Sequence, residues 1–224
     1  MGRWSRIERT ARAQYGPLLA GVDEVGRGPL AGPVVACAIV MPFDRRAIVG
    51  VNDSKQLDAK TRERLALLIL EQALAVSLGA ASTHEIDRIN IYHATVLAMA
   101  RALKRLEFRL GGAPDHVLVD GKPLRTLGVL HTAVVKGDAK CYGIACASIV
   151  AKVTRDRLMA SLSRRYEAFG WERNAGYGTP QHLAALARHG LTPHHRRRFC
   201  HNEQVLLNFD ATAAVPDPLP TEFV

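Results

Sequence analysis

Short runs of apolar and β-branched residues alternate along the 224-residue chain with longer segments of helical periodicity. The apolar runs predict five strands, at residues 18–23, 32–41, 75–81, 116–119 and 129–135. Two strands in succession, followed by strands that alternate with helices, indicate an α/β fold. We therefore expect a mixed β-sheet flanked by helices.

Capping residues mark where the predicted helices begin and end. Asp58 fits the N-cap of a helix that runs to about Leu74. Ser82 and Glu85 have the spacing of a capping box, and Gly111 terminates the helix that follows it. Two further helices are predicted downstream, at residues 141–169 and 180–188.

No apolar run reaches the roughly 20 residues that a membrane-spanning helix needs. The N-terminus lacks the apolar segment that is typical of a secretory signal. Four cysteines, at positions 37, 141, 146 and 200, form no C-x-x-C pair. Reduced, buried thiols are the ordinary reading of such residues. We therefore expect a cytoplasmic protein without membrane contact.

Positive charge is concentrated in one part of the chain. The whole sequence has 30 Lys and Arg against 21 Asp and Glu, a net charge of +9. Residues 139–201 hold 11 basic and 3 acidic residues, whereas residues 202–224 hold four acidic residues and no basic one. A basic segment of this kind commonly contacts phosphates. Arginines on solvated helix faces would give the same count, so charge alone suggests a polyanion partner without naming it.

Three predicted strands run into carboxylates that lie next to glycine. The carboxylates are Asp23, Glu24, Asp120 and Asp138. A single Asp at a strand end is more often a turn former. Four carboxylates at one sheet edge would instead repel one another unless cations were present. Oxygen ligands suit Mg²⁺ or Mn²⁺, and two such ions can hydrolyse a phosphodiester.

The segment that follows Glu24 resembles a dinucleotide-binding fingerprint, because Gly26, Gly28 and Ala31 have its G-x-G-x-x-A spacing. That fingerprint requires a helix to follow, but here the sequence continues into the strand predicted at 32–41. We therefore reject this interpretation. Glycines on both sides of Arg27 instead allow the backbone to approach a ligand closely.

A set of short motifs, in order along the chain, closely resembles ribonuclease HII. The motifs lie at residues 21–35, 53–55, 119–121, 136–138, 147–156 and 176–179. The resemblance implies a ribonuclease H-like fold with a helical C-terminal part. It divides the chain into an N-terminal extension (1–15), a catalytic domain (16–201) and a flexible acidic tail (202–224).

The resemblance also implies an activity. Members of this family are endoribonucleases that cleave the RNA strand of RNA–DNA hybrids and incise duplex DNA at embedded ribonucleotides. The implied chemistry is two-metal-ion hydrolysis with Mg²⁺ or Mn²⁺, leaving a 3′-hydroxyl and a 5′-phosphate. The expected partners are RNA–DNA hybrid and ribonucleotide-containing duplex DNA, and the expected state is a monomer.

By motif, the resemblance assigns metal binding and catalysis to the four carboxylates at positions 23, 24, 120 and 138. It assigns reading of the ribose 2′-hydroxyl to the backbone of Gly26, Arg27 and Gly28. It assigns the sensing of the ribonucleotide at the RNA–DNA junction to Tyr177. An aromatic ring offers a flat surface to a sugar or base, although an ordinary loop tyrosine is the alternative.

Other residues have two open interpretations. Lys55 either contacts a phosphate or is a solvated loop lysine. Arg155 shares a helix face with Ser148 and Lys152, and either lies along the DNA or forms an ion pair with Asp156. The basic cluster at 194–201 is expected either to face phosphates or to form a charged surface.

Two rival functions remain at this point. One is a resolvase- or integrase-type nuclease that acts on DNA; the paired Asp23 and Glu24 and the position of Tyr177 between glycines argue against it. The other is a nucleic-acid-binding module without catalysis. That rival leaves the four carboxylates unexplained, since without a metal they would repel phosphate.

Overall fold

The structure is a computed structural model and describes residues 4–200. One five-stranded sheet contains β1 (Leu19–Val25), β2 (Val34–Val40), β3 (Ala75–Ala81), β4 (His116–Asp120) and β5 (His131–Val134). The strand order is β3-β2-β1-β4-β5. The pairs on the β3 side of β1 are antiparallel, and the pairs on its β4 side are parallel. The predicted mixed sheet is confirmed, and each strand ends within two residues of its predicted bounds.

Helices cover both faces of this sheet. They are α1 (Arg6–Tyr15), α2 (Ala59–Gln72), α3 (Thr83–Leu110), α4 (Gly137–Lys140), α5 (Tyr142–Ser163), α6 (Trp171–Asn174), α7 (Pro180–His189) and α8 (Arg197–Cys200). The predicted caps are present, including the Asp58 N-cap, the Ser82–Glu85 capping box and the left-handed Gly111. No helix in the described part of the chain is long and apolar enough to cross a membrane.

Alternate residues of the buried strands face two different cores. On β2, Ala36 and Ala38 pack in the cluster under α3, whereas Cys37 and Ile39 pack in the cluster under α5. A strand that is buried on both faces is apolar at every position, as the whole of β2 is. All four cysteines are buried and unpaired, as expected.

Helix α5 lies against the centre of the sheet at a point where both surfaces lack a side chain. A Cβ on Gly21 of β1 would stand 2.3 Å from the carbonyl carbon of Gly143. The two backbones therefore approach closely where glycines meet. This contact sets the distance between α5 and the strand that carries Asp23 and Glu24.

The first helix packs onto the same region. Glu8 of α1 is buried, and its Oε1 accepts a hydrogen bond of 2.8 Å from the backbone N–H of Gly143. Trp4 stacks on Phe43 with ring centroids 3.7 Å apart. Residues 4–15, which the sequence places in an extension, thus contact the main domain; the tail predicted at 202–224 lies outside the described residues.

One predicted helix is shorter than expected. The segment 141–169 was predicted as continuous, but α5 ends at Ser163 and a separate 3₁₀ turn spans Glu167–Phe169. The chain reverses there because Gly170 adopts a left-handed conformation. The chain then returns to the loop between β1 and β2, where the N–H of Leu30 donates to the Gly176 carbonyl.

The glycine contact gives a test of this packing. Gly21→Ala forces α5 and β1 apart, so we expect the free energy of unfolding to fall by about 2–4 kcal/mol. The measurement is urea denaturation followed by circular dichroism. Gly112→Ala is the matched control, because no atom lies within 4 Å of the added methyl group, and it should change stability by less than about 0.5 kcal/mol. Equal stabilities for the two variants would contradict the packing argument.

Candidate active site

The four predicted carboxylates lie at one end of the sheet. Val22 of β1 is opposite Val119 of the parallel strand β4. The next residue on each strand is Asp23 or Asp120, so parallel pairing places both at the same edge. Asp138 reaches this edge from α4, whose Gly137 N–H donates a 2.6 Å hydrogen bond to the Asp120 carboxylate.

Burial and nearby negative charges raise the pKa values of Asp23, Glu24 and Asp138. The pKa of Asp23 is raised well above its ordinary value by burial and by the neighbouring charges of Glu24 and Asp120. Burial also raises the pKa of Glu24, with Arg27 opposing the change. The pKa of Asp138 is raised by burial and by Asp120 and Asp53. The ionised carboxylates therefore repel one another, and a bound cation would reduce this repulsion.

Two exposed cations partly offset this charge. Arg27 Nη1 lies 3.2 Å from Glu24 Oε1, and Lys55 Nζ lies 3.6 Å from Asp138 Oδ2. The Lys55 side chain is 79% exposed, so this contact is weak in water. The structure thus brings both predicted binding residues to the carboxylate edge.

Serine hydroxyls connect the acidic edge to α5. The Ser148 hydroxyl interacts with the Asp23 carboxyl and opposes the rise in its pKa. Ser148 Oγ also lies 2.9 Å from Ser54 Oγ, in the turn that carries Lys55. Ser148 therefore connects this turn, α5 and the strand that carries Asp23.

The donor set fits a hard divalent cation, because four carboxylates supply only oxygen ligands. Within residues 4–200, however, no three Asp, Glu, His or Cys side chains are gathered closely enough to form a ready-made metal cluster. Glu24 and Asp138 instead turn towards Arg27 and Lys55. Cation binding at this edge would require those two contacts to loosen.

The loop that contains Gly26, Arg27 and Gly28 is held by a buried arginine. Arg196 is 0% exposed, and its guanidinium donates to the backbone carbonyls of Gly26, Arg27 and Gly32. The pKa of Arg196 is lowered to about 9 by burial. The expectation that residues 194–201 form a charged surface is therefore wrong for Arg196, since its charge binds the loop.

A second buried arginine holds the other end of the same loop. Arg155 of α5 donates to the carbonyls of Ala31, Pro33 and Ala175 at 2.8–2.9 Å. It forms no ion pair with Asp156, which binds Lys152 instead at 2.7 Å. Neither open interpretation of Arg155 matches this structural role.

Tyr177 lies against the glycine loop. A Cβ built on Gly28 would be 3.5 Å from Tyr177 Cε1, so the ring is in contact range of that backbone. The Tyr177 side chain is 48% exposed and one side of it is open to a ligand. Leu30 N–H donates a 2.8 Å hydrogen bond to the Gly176 carbonyl, which joins the two loops.

Two buried histidines, which the sequence interpretation missed, support this second loop. His182 Nδ1 lies 2.9 Å from the Tyr177 carbonyl, and His182 Nε2 lies 2.9 Å from His195 Nε2. Burial lowers the pKa of both rings, that of His195 to about 4. His195, like Arg196, is therefore part of the core and not of a charged surface.

Carboxylates at the end of a mixed sheet, next to a glycine loop and exposed cations, define a phosphodiester-hydrolysing nuclease. The family model of ribonuclease HII matches residues 20–202. The chain belongs to the ribonuclease HII family. It is thus an endonuclease of the ribonuclease H type, which cleaves the RNA strand of RNA–DNA hybrids.

Known ribonucleases H are similar to this chain in sequence and in fold. The chain is 56% identical over 183 residues to ribonuclease HII of Thermosynechococcus vestitus, covering 81% of this chain and 83% of that one. It is 54% identical over 198 residues to ribonuclease HII of Granulibacter bethesdensis, covering 87% of each. The crystal structure of ribonuclease H2 from Pyrococcus horikoshii OT3 matches with a TM-score of 0.67 and 28% identity, covering 82% of this chain and 99% of that one. The expected ribonuclease H-like fold is confirmed.

The repulsion among the carboxylates predicts a stability effect. Asp23→Asn removes a buried charge while keeping the oxygen that accepts from the Glu24 N–H. We expect the metal-free variant to melt about 2–4 °C higher than the wild type, measured by calorimetry in a chelator. Asp58→Asn, at an exposed N-cap, is the control and should not raise the melting temperature. A lower melting temperature for Asp23→Asn would contradict this electrostatic account.

The low pKa of His195 predicts acid sensitivity. In the unfolded chain His195 binds a proton near pH 6.5, whereas in the folded protein its pKa is about 4. Between these values the unfolded state binds more protons, so the free energy of unfolding falls as the pH is lowered. His195→Gln cannot titrate there. We expect a smaller acid-induced loss of stability in His195→Gln than in the exposed-site control His189→Gln, by urea denaturation from about pH 7 to about pH 4.5.

Proposed function

We propose that this chain incises duplex DNA at embedded ribonucleotides, as well as cleaving the RNA strand of hybrids, with Mg²⁺ or Mn²⁺ as the cofactor. The observation that carries the proposal is the contact between Gly28 and Tyr177 beside the carboxylate edge. It places a backbone that can bond a 2′-hydroxyl next to an aromatic surface. The 2′-hydroxyl is the group that distinguishes RNA from DNA at one nucleotide.

The carboxylates of Asp23, Glu24, Asp120 and Asp138 would hold the cations. Two bound divalent ions supply a nucleophile and stabilise charge on the leaving oxygen. The chain's own residues do the rest. Gly137 N–H fixes the orientation of Asp120, and Ser148 fixes that of Asp23. Lys55 and Arg27 are exposed cations that can pass from carboxylates to the phosphates of the substrate.

Recognition is assigned to the glycine loop and to the loop around Tyr177. The main chain of Gly26 has φ +90°, a conformation that other residues rarely adopt. A side chain there would also collide with Arg155. Because Arg196 already binds the carbonyls of Gly26 and Arg27, the backbone N–H groups of Gly26, Arg27 and Gly28 are the groups offered to a ribose. The Tyr177 ring contacts the sugar of the adjoining nucleotide. The scissile product ends are a 3′-hydroxyl and a 5′-phosphate.

The first test removes one metal-binding carboxylate. Asp120→Asn keeps an oxygen for the Gly137 N–H but loses the charge, so we expect cleavage to fall by at least about 100-fold. Binding, measured by fluorescence anisotropy in a chelator, should change little. The substrate is duplex DNA with one ribonucleotide, with Mn²⁺ or Mg²⁺, beside an all-DNA duplex. Glu107→Gln, on the exposed end of α3, is the control.

An Asp120→Asn enzyme with wild-type activity would overturn the metal assignment. Equal cutting of the all-DNA duplex by the wild type would instead favour a nuclease that acts on DNA. A wild-type protein that binds both duplexes and cuts neither would favour a binding module.

The second test concerns the aromatic contact. Tyr177→Ala removes the ring, and we expect incision at a single ribonucleotide to fall about tenfold or more, the effect of about 1–3 kcal/mol of stacking. Tyr177→Phe keeps the ring and should retain more of the activity. The measurement is kcat/KM on the single-ribonucleotide duplex. Tyr15→Ala, which loses a ring stacked on His116 in a different part of the molecule, is the control. Unchanged rates for Tyr177→Ala would mean that this tyrosine is structural.

A further inference from the structure

The carbonyl of Tyr177 accepts two hydrogen bonds, one of them from a side chain. It accepts a 2.8 Å hydrogen bond from Thr179 N–H and a 2.9 Å hydrogen bond from His182 Nδ1. On the other side, Tyr177 N–H donates to the Asn174 carbonyl at 2.9 Å. The direction in which the ring leaves the backbone is therefore set by these three bonds. Of these, the bond from His182 comes from a side chain.

The protonation of the two histidines follows from their partners. A carbonyl only accepts, so the proton of His182 is on Nδ1 and its Nε2 is an acceptor. The Thr192 N–H only donates, and it lies 2.9 Å from His195 Nδ1. The proton of His195 is therefore on Nε2, which donates to His182 Nε2. Trp171 Nε1–H is a second donor to that atom, at 3.2 Å.

We call this chain of hydrogen bonds the histidine relay; it consists of Thr192, His195, His182 and Tyr177. Every donor in it points towards Tyr177, and each ring carries one proton. A second proton on His195 Nδ1 would face the Thr192 N–H and would have only the Thr192 hydroxyl, also 2.9 Å away, as an acceptor. A second proton on His182 Nε2 would face two donors. Both rings are buried, with 0% and 2% exposure, so water does not replace a broken link. The relay therefore requires both rings to be neutral and correctly oriented.

We propose that His182, oriented by His195, is a positioning residue for recognition of a single ribonucleotide, because it fixes the carbonyl of Tyr177 and so holds the ring against Gly28. The proposal rests on the proposed function, in which Tyr177 contacts the substrate. His182 itself contacts no carboxylate of the metal site. Its loss should therefore change the choice between substrates more than the hydrolytic step.

The relay is distinct from the two buried arginines that hold the neighbouring backbone. Arg155 and Arg196 bind carbonyls of residues 26–33 and of Ala175, which fixes the loops. Neither of them binds the carbonyl of Tyr177 itself. That role belongs to His182, so the ring can lose its orientation while both loops stay in place.

The experiment compares two substrates with one set of variants. His182→Leu removes both ring nitrogens, and we expect kcat/KM on the single-ribonucleotide duplex to fall about tenfold, the effect of one buried hydrogen bond. On a long RNA–DNA hybrid, the fall should be no more than about threefold. His189→Leu, at an exposed position of the same helix, should alter neither rate. A fall of equal size on both substrates would overturn the proposal, because it is what a purely structural residue gives.

A second pair of variants keeps the test decisive if His182→Leu does not fold. The amide nitrogen of Asn occupies the position of Nδ1, whereas that of Gln occupies the position of Nε2. His182→Asn should therefore keep the bond to the Tyr177 carbonyl and restore the preference for a single ribonucleotide, and His182→Gln should not. Equal selectivity in the two variants would overturn the proposal.

Tyr177→Ala separates this proposal from the one on which it rests. If Tyr177→Ala lowers single-ribonucleotide incision and His182→Leu does not, the relay fails and the role of the tyrosine stands. If Tyr177→Ala changes neither rate, the proposed role of the tyrosine is wrong, and so is the proposed role of the relay.

Long-range ¹H–¹⁵N spectra test the relay directly. His182 should be the Nδ1–H tautomer and His195 the Nε2–H tautomer. The opposite assignment would also overturn the proposal.

Discussion

The conformation of the loop of residues 26–33 depends on two buried positive charges that are stabilised by backbone carbonyls. The guanidinium groups of Arg155 and Arg196 are both 0% exposed, and their hydrogen-bond acceptors are main-chain carbonyls. A buried charge is costly unless its donors are bonded. The loop 26–33 therefore cannot relax without exposing a cation to an apolar interior. The conformation of this loop is thus set by its contacts with buried side chains.

Helix α5 connects this constraint to the chemistry. Ser148 interacts with Asp23, and Arg155, seven residues later, lies on the same helix face and binds the loop of residues 26–33. Gly143, at the start of the helix, lies against Gly21 of the strand that carries Asp23. One rigid element therefore sets the distance between the acidic edge and the loop that is proposed to bind the ribose.

The sequence predicted what depends on local pattern and missed what depends on distant packing. Strands, caps and the acidic ends of β1 and β4 follow from periodicity and from neighbouring residues, so these predictions agree with the structure. The helix predicted at 141–169 was too long, because α5 ends at Ser163 and a separate 3₁₀ turn follows before Gly170. Arg196 and His195 were expected at a charged surface, and His182 was given no role. The carbonyls that bind Arg196 are up to 170 residues away, and no local signal identifies a carbonyl as the partner of a buried charge. The partners of the histidines are closer in sequence, but the bond between the two rings joins α7 to the segment that follows it.

The arginine contacts restrict which residues of this region can be substituted during evolution. Every acceptor in the loop is a carbonyl, which each amino acid supplies equally. Substitutions at the loop's non-glycine positions therefore leave the anchoring intact, and drift in those side chains can adjust substrate contacts without loss of loop shape. The donors have less freedom, since only a guanidinium offers five N–H donors in a rigid planar fork, whereas an ammonium is a compact point charge with three. The residues that supply the carbonyls can therefore be substituted more freely than Arg155 and Arg196.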